Sequence, residues 1–266
     1  MQYCYSQQNY DASREYQLIV YLHGAGGIGN DNKRQINNCM LLERLVSDEY
    51  IESHPCIIVA PQTSQWWIEN QLITAMNIVK EVDSKYNIDD ERKVLIGCSM
   101  GGAAVWDMLF LYPDYFDAAV PVSGDVYIFN PSRTHMLDNK SIYDNVNSIK
   151  DIAIWIFHGT NDNVIDIGPA RKMYKILISV GGNVYMTENP TAGHNSNLIA
   201  FSTPTFYNWL FSEDFKLPDR KENTLLTAPV LIAALSAAAT ISLLVTISIV
   251  AAKRQSAKKK SSGAEK

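Results

Sequence analysis

Short β-rich apolar runs, each closed by glycine or proline, alternate along this chain with longer segments of helical spacing. The runs at 16–22, 56–60, 93–97, 118–122, 152–158 and 183–187 read as strands. Residues 72–86 place Leu72, Ile73, Met76, Val79, Val82 and Tyr86 near helical spacing, with Lys80, Glu81, Asp83 and Lys85 on the other face. Residues 101–111 read as a helix stopped before Pro113, and 168–180 as one ended by Gly181-Gly182. Strand–helix alternation of this kind predicts an α/β fold, with a mainly parallel sheet flanked by helices on both faces. Residues 125–150 are polar and irregular and predict a surface insertion near the mouth of a site.

The 266 residues are 47% hydrophobic and 19% charged, enough to bury one substantial core. A net charge of −5 leaves no broad basic surface, which argues against nucleic acid as a partner. Cys4, Cys39, Cys56 and Cys98 show neither a CxxC pair nor metal-ligand spacing, and read as packed thiols.

From Asn223 to Ala252 there is no charged residue, and 228–252 is mostly Ala, Leu, Ile and Val, long enough to span a bilayer. The organisation expected is an α/β domain at 1–215, a juxtamembrane linker at 216–227, a transmembrane helix at 228–252 and a basic tail at 253–266. Lys253, Arg254, Lys258, Lys259, Lys260 and Lys266 follow the apolar run, and positive-inside bias puts that tail in the cytoplasm with the α/β domain outside. Met1 to Tyr16 shows no secretory pattern, so a tail-anchored protein with its domain in the cytosol is the alternative. Leu217-Pro218-Asp219-Arg220 lacks the Thr-Gly of a cell-wall sorting signal.

Gly97-Cys98-Ser99-Met100-Gly101 matches GxSxG and lies directly between an expected strand and an expected helix. The glycines leave room for a sharp turn that lifts a serine hydroxyl clear of the sheet, with the Met100 amide facing a developing oxyanion. His23-Gly24-Ala25-Gly26-Gly27 follows the first strand and supplies small residues for a second donor, assigned to Ala25 with Gly26 as fallback. A serine nucleophile needs a base oriented by a carboxylate. His194, flanked by Gly193 in a late loop, is the favoured base over His23, His54, His135 and His158. Asp162, just beyond a strand end, is the favoured acid over Asp166 and Asp138. Ser, Asp, His is then the chain order, as in one of the known triad arrangements. Trp66 and Trp67 are candidate walls of a substrate pocket or, equally, packing residues. Trp106 reads as core.

These residues resemble the polyhydroxybutyrate-depolymerase and feruloyl-esterase-like branch of the α/β-hydrolases, often labelled predicted peptidases or phospholipase/carboxylesterase-like proteins. The likeness runs from about Tyr10 to Phe211. It rests on Leu22-His23-Gly24-Ala25-Gly26-Gly27, Ala60-Pro61-Gln62, Tyr86-Asn87-Ile88-Asp89, Ile96 through Gly102, Tyr112-Pro113-Asp114-Tyr115-Phe116, Pro121-Val122-Ser123-Gly124, and His158-Gly159 with Asp162. The resemblance implies hydrolysis of carboxylic esters without a metal or organic cofactor, with triad positions on Ser99, Asp162 and His194. Peptide hydrolysis by the same groups is one alternative, and an inactive membrane-tethered binding module another. Members of the branch begin with an antiparallel hairpin that this sequence lacks, which predicts a bare sheet edge.

Overall fold

In the computed structural model, which describes residues 2–6, 10–37, 39–127 and 142–219, every residue of Tyr16–Leu22 is buried. The reason is that both faces of this strand are covered. Leu18, Val20 and Leu22 enter one apolar core and Ile19 and Tyr21 another, as the twofold repeat of a strand requires.

The strands are β1 (Gln2–Ser6), β2 (Tyr16–Leu22), β3 (Cys56–Gln62), β4 (Ile88–Cys98), β5 (Ala118–Val122), β6 (Ala153–Gly159) and β7 (Val184–Asn189). They form one sheet in the order β1-β3-β2-β4-β5-β6-β7. β2 to β7 are parallel with their neighbours, and β1 runs antiparallel to β3 from Gln2↔Gln62 to Ser6↔Ile58. The expectation of a bare edge is thus corrected. The alternating aromatics of Gln-Tyr-Cys-Tyr-Ser favour an extended chain, but polar Gln2 and Ser6 leave no continuous apolar run of the kind that marks the other strands.

The first core lies under α3 (Glu69–Lys85), α4 (Met100–Leu111) and α6 (Gly168–Ser179), through residues such as Met76, Trp106 and Leu177. The second lies under α1 (Met40–Leu45) and α8 (Pro204–Leu210), through Leu41, Phe206 and Trp209. The remaining short helices are α2 (Asp48–Ser53), α5 (Ile142–Ser148) and α7 (Ser196–Ala200). Trp106 is core, as expected. All residues of α4 from Met100 to Phe110 are buried, so its apolar character all round follows from its place against the middle of the sheet.

The insertion at 125–150 is less irregular than its composition suggests. Its end forms α5, and Val146 and Ile149 reach the first core. Residues 128–141, with His135 and Asp138, lie outside the described residues, as does the apolar run at 228–252. Among the described residues no helix is long and apolar enough to cross a membrane. Cys39 and Cys56 are buried, whereas Cys98 is half-buried.

The glycines around the β4–α4 junction set how closely helix and sheet approach. A Cβ on Gly101 would overlap the Leu22 carbonyl oxygen and come within 2.8 Å of the His23 carbonyl oxygen, both backbone atoms that cannot swing aside. A Cβ on the exposed Gly26 would meet nothing within 4 Å. Gly101→Ala should therefore lower stability by about 3 kcal/mol, and Gly26→Ala should change it by less than about 0.5 kcal/mol. Urea unfolding of the two variants checks the contrast.

Candidate active site

The sheet places its crevice where the strand order reverses. From β2 the chain turns one way to β3 and then returns to the other side of β2 for β4, so the loops leaving β2 and β4 diverge at the carboxyl edge. Such a switch point is where open α/β sheets form sites. Here the diverging loops carry His23–Gly27 and Ser99.

Ser99 caps α4 with φ 58° and ψ −119°, a left-handed conformation that is strained for a residue with a side chain. Its N–H donates to the Val122 carbonyl at 2.8 Å. Gly97, Gly101, Gly102 and Gly124 all lie where an added Cβ would collide with backbone. This glycine packing lets the turn close and presents Ser99 Oγ at the sheet's edge.

His194 Nε2 stands 2.7 Å from Ser99 Oγ, and His194 Nδ1 stands 2.9 Å from Asp162 Oδ2. A carboxylate only accepts, so Nδ1 carries the proton and Nε2 accepts from the serine hydroxyl. The loops that bring acid and imidazole together are stitched by backbone bonds, Thr160 N–H to Asn189 and Asn161 N–H to Ala192. The Asp162 side chain is fully buried. Burial opposes its ionisation, but the Ile165 N–H, His194 and the Val164 N–H outweigh that and hold its carboxyl below the usual carboxylate range.

The loop after β2 is held from beneath. Thr63 N–H donates to His23 Nε2 at 3.1 Å, so His23 is neutral and its Nδ1–H donates to the Gly24 carbonyl at 2.7 Å. Burial keeps that imidazole below its ordinary range. Gly27 N–H also donates to the Gly24 carbonyl, closing the turn Ala25–Gly27. In a trans peptide the Ala25 N–H points opposite to that carbonyl, away from His23. The Met100 N–H, first in α4, has no acceptor within its own helix. Both residues line the same pocket as Ser99.

That pocket has a volume of about 830 Å³, within the range of small-molecule sites. Trp66, half exposed, stands on its wall with Val164, Ile165 and Arg34. Trp67 does not line it. It is 3% exposed beneath the loop, packs on the His23 ring and donates its indole N–H to the His23 carbonyl. The rivals of the expected residues lie elsewhere: Asp166 caps the Gly168 N–H, and His54 stacks with Tyr50. His158, expected only to brace a loop, stands behind Asp162. Among the described residues no group of His, Cys, Asp and Glu could hold a metal ion.

A latch that the sequence did not reveal fixes the far wall. Buried Gln62 donates to Asp31 Oδ1 at 2.9 Å and accepts from Asn32 N–H, while Asp31 also receives the Lys33 and Arg34 N–H groups. Asx-type spacing at Asp31 hints at the turn, but the bond to Gln62 joins residues 31 positions apart.

With this geometry described, the class is that of the α/β-hydrolase fold. A family model described as phospholipase/carboxylesterase matches residues 57–201, more than half of the chain, and the chain belongs to that family. It is similar to a thermostable esterase of known structure, with 29% identity and a TM-score of 0.66 over 79% of this chain and 58% of that one. A ferulic acid esterase of Anaeromyces mucronatus shares the fold at 20% identity and a TM-score of 0.58, over 79% of this chain and 82% of the other. A secreted triacylglycerol lipase of Malassezia globosa is 24% identical over 130 residues, 48% of this chain and 28% of the lipase. The chain thus spans about a quarter of that lipase's length and somewhat over half of the thermostable esterase's.

Hydrogen bonds from Gln62 first, then from Arg34 and Lys33 N–H, hold the Asp31 carboxyl down to about 2 from an ordinary 3.8. A carboxyl depressed by folding stabilises the fold above its unfolded pKa, and that contribution fades as pH falls through its folded pKa. The stability difference between wild type and Asp31→Asn should therefore be largest near neutrality, shrink below about pH 4 and vanish toward pH 2. Urea unfolding across this range measures it, and a difference that stayed constant would contradict the assignment.

Proposed function

We propose that this chain hydrolyses carboxylic esters through an acyl-enzyme, with Ser99 as nucleophile, His194 as base and Asp162 as the acid that orients it. The observation carrying the proposal is the unbroken run from hydroxyl to imidazole to buried carboxylate, at 2.7 Å and 2.9 Å. Family membership and similarity to the thermostable esterase support ester substrates.

His194 Nε2 takes the proton of Ser99 Oγ as that oxygen bonds to the ester carbonyl carbon. Asp162 stabilises the imidazolium that forms. The Ala25 and Met100 N–H groups receive the oxyanion, with the N-terminal end of α4 adding favourable partial charge. The carbon–oxygen bond to the alcohol then breaks, and His194 returns its proton to the leaving oxygen. Water, deprotonated by the same imidazole, releases the acid and restores Ser99. No step uses a metal or organic cofactor. Trp66 offers an aromatic face to the bound substrate at the pocket wall.

Ser99→Ala should lower kcat on a p-nitrophenyl ester by about 10⁶-fold and Asp162→Asn by about 10⁴-fold. A fluorophosphonate should label wild type and leave Ser99→Ala unlabelled. Turnover by Ser99→Ala comparable to wild type would remove the nucleophile assignment. Matching anilides assayed beside the esters separate esterase from peptidase action.

We further infer from the sequence that residues 228–252 anchor the chain in a membrane as a single pass. The support is the uncharged apolar run and the basic residues after it, which favour a cytoplasmic tail and an outward-facing domain. The full chain should stay in the membrane pellet through alkaline carbonate extraction, and protease added to intact cells should digest the domain. Extraction into the supernatant would refute the anchor, and protection in intact cells the orientation.

A further inference from the structure

A second imidazole, which the acyl-transfer steps do not use, stands behind the carboxylate. His158, near the end of β6, is 1% exposed. Its Nε2 lies 3.1 Å from the Ile165 carbonyl and 3.4 Å from Asp162 Oδ2. A carbonyl oxygen only accepts, so Nε2 carries the proton. Nδ1 is then left as a buried acceptor with no hydrogen-bond partner among the described residues.

That orphan is informative. Burying an acceptor without a partner is unfavourable, whereas a leucine could fill much of the same space with no polar atom at all. What the imidazole offers in exchange is a rigid ring whose N–H donates to the Ile165 carbonyl while the same nitrogen stands 3.4 Å from Asp162 Oδ2. We propose that His158 is a positioning residue of this site, tying Asp162 to Ile165 so that Oδ2 stays in the plane that receives His194. The proposal rests on the triad reading of Ser99, His194 and Asp162.

The hydrogen bonds of Asp162 show what would be missing without it. Oδ1 is fixed by two backbone N–H groups, from Val164 and Ile165, at 2.9 Å each. One fixed oxygen leaves the carboxylate free to pivot about that point. A second contact to Oδ2, from His158 at 3.4 Å, limits the pivot, and an aim held to a fraction of an ångström is what proton transfer requires. The same N–H reaches Ile165, which lines the pocket beside Val164, so acid and pocket wall are held as one loop.

The titratable groups facing His158 are Asp162, His194, Asp166 and, across the β6–β7 register, Glu188, which is itself paired with Arg171. Burial dominates over the Ile165 hydrogen bond and the attraction of Asp162 and Asp166, and holds the His158 imidazole below its ordinary range. A neutral ring with a single proton on Nε2 is the form the positioning role needs.

The test compares His158→Leu with His158→Gln in the full-length protein, because glutamine restores an N–H donor near the Nε2 position and leucine does not. One readout needs no substrate: the low-field proton NMR signal of the His194 Nδ1–H bonded to Asp162. His158→Leu should lose or broaden that signal and, on a p-nitrophenyl ester, lower kcat by up to about 100-fold with KM within about twofold. His158→Gln should keep the signal and most of kcat. An intact signal in His158→Leu, or equal losses of signal and kcat in both variants, would overturn the proposal. Should wild type turn over no ester, the functional reading fails while the NMR comparison still decides the role of His158. Ser99→Ala, with the signal retained and turnover lost, is the reference for that separation.

Discussion

The whole site depends on backbone touching backbone beneath Ser99. Gly101 abuts the end of β2, Gly102 abuts the end of β5 and Gly124, and Gly97 abuts the first turn of α4. Only hydrogen fits at these four positions. Because α4 sits this close to the sheet, the chain must turn in a single residue, and Ser99 takes a left-handed conformation that costs on the order of 1–3 kcal/mol. The burial of α4 along nearly its whole length offsets that strain. Its first N–H groups are left at the mouth of the crevice as a direct result.

The carboxylate and imidazole reach this serine from two further loops whose relative position is also set by main chain. Gly159 packs against the Ala192 and Gly193 carbonyls, and bonds from Thr160 and Asn161 to the chain after β7 fasten the two loops together. Asp162 and His194 therefore move as a pair. The serine belongs to the β4–α4 junction and the pair to the β6 and β7 loops, so only the regular spacing of parallel strands relates them. The three side chains come from the ends of β4, β6 and β7, which lie within four consecutive neighbours of the sheet.

Much of this was legible in the residues, for identifiable reasons. The strands at 16–22 and 118–122 fall where apolar runs, broken only by Gln17 in the first, end at a glycine turn or soon after, since strands buried on both faces carry no polar alternation to blur their limits. Ser99, Asp162 and His194 could be picked out because each follows a strand, and the structure brings these three together. Helices α1, α2, α7 and α8 were not legible, because five to seven residues complete too few turns for a periodic pattern. Trp66 and Trp67 are adjacent in sequence yet differ wholly in surroundings, one at the pocket wall and one under His23. Nothing local separates them. The latch from Gln62 to Asp31 was hidden for the same reason, since its partners come from different loops.

Exposure falls along the relay: His194 is 26% exposed at its side chain and Asp162 not at all. That gradient suits the two halves of the proposed reaction. A carboxylate shielded from water attracts the imidazolium more strongly, because the local dielectric is low and its position is set before reaction begins. The imidazole itself must still admit water, since the same nitrogen that activates Ser99 must later activate the molecule that releases the acid. Were His194 as buried as Asp162, the water step of the proposed reaction would be hindered. Were Asp162 as exposed as His194, solvent would compete for its oxygens and the imidazole would lose its fixed tautomer. The site separates the two demands by depth.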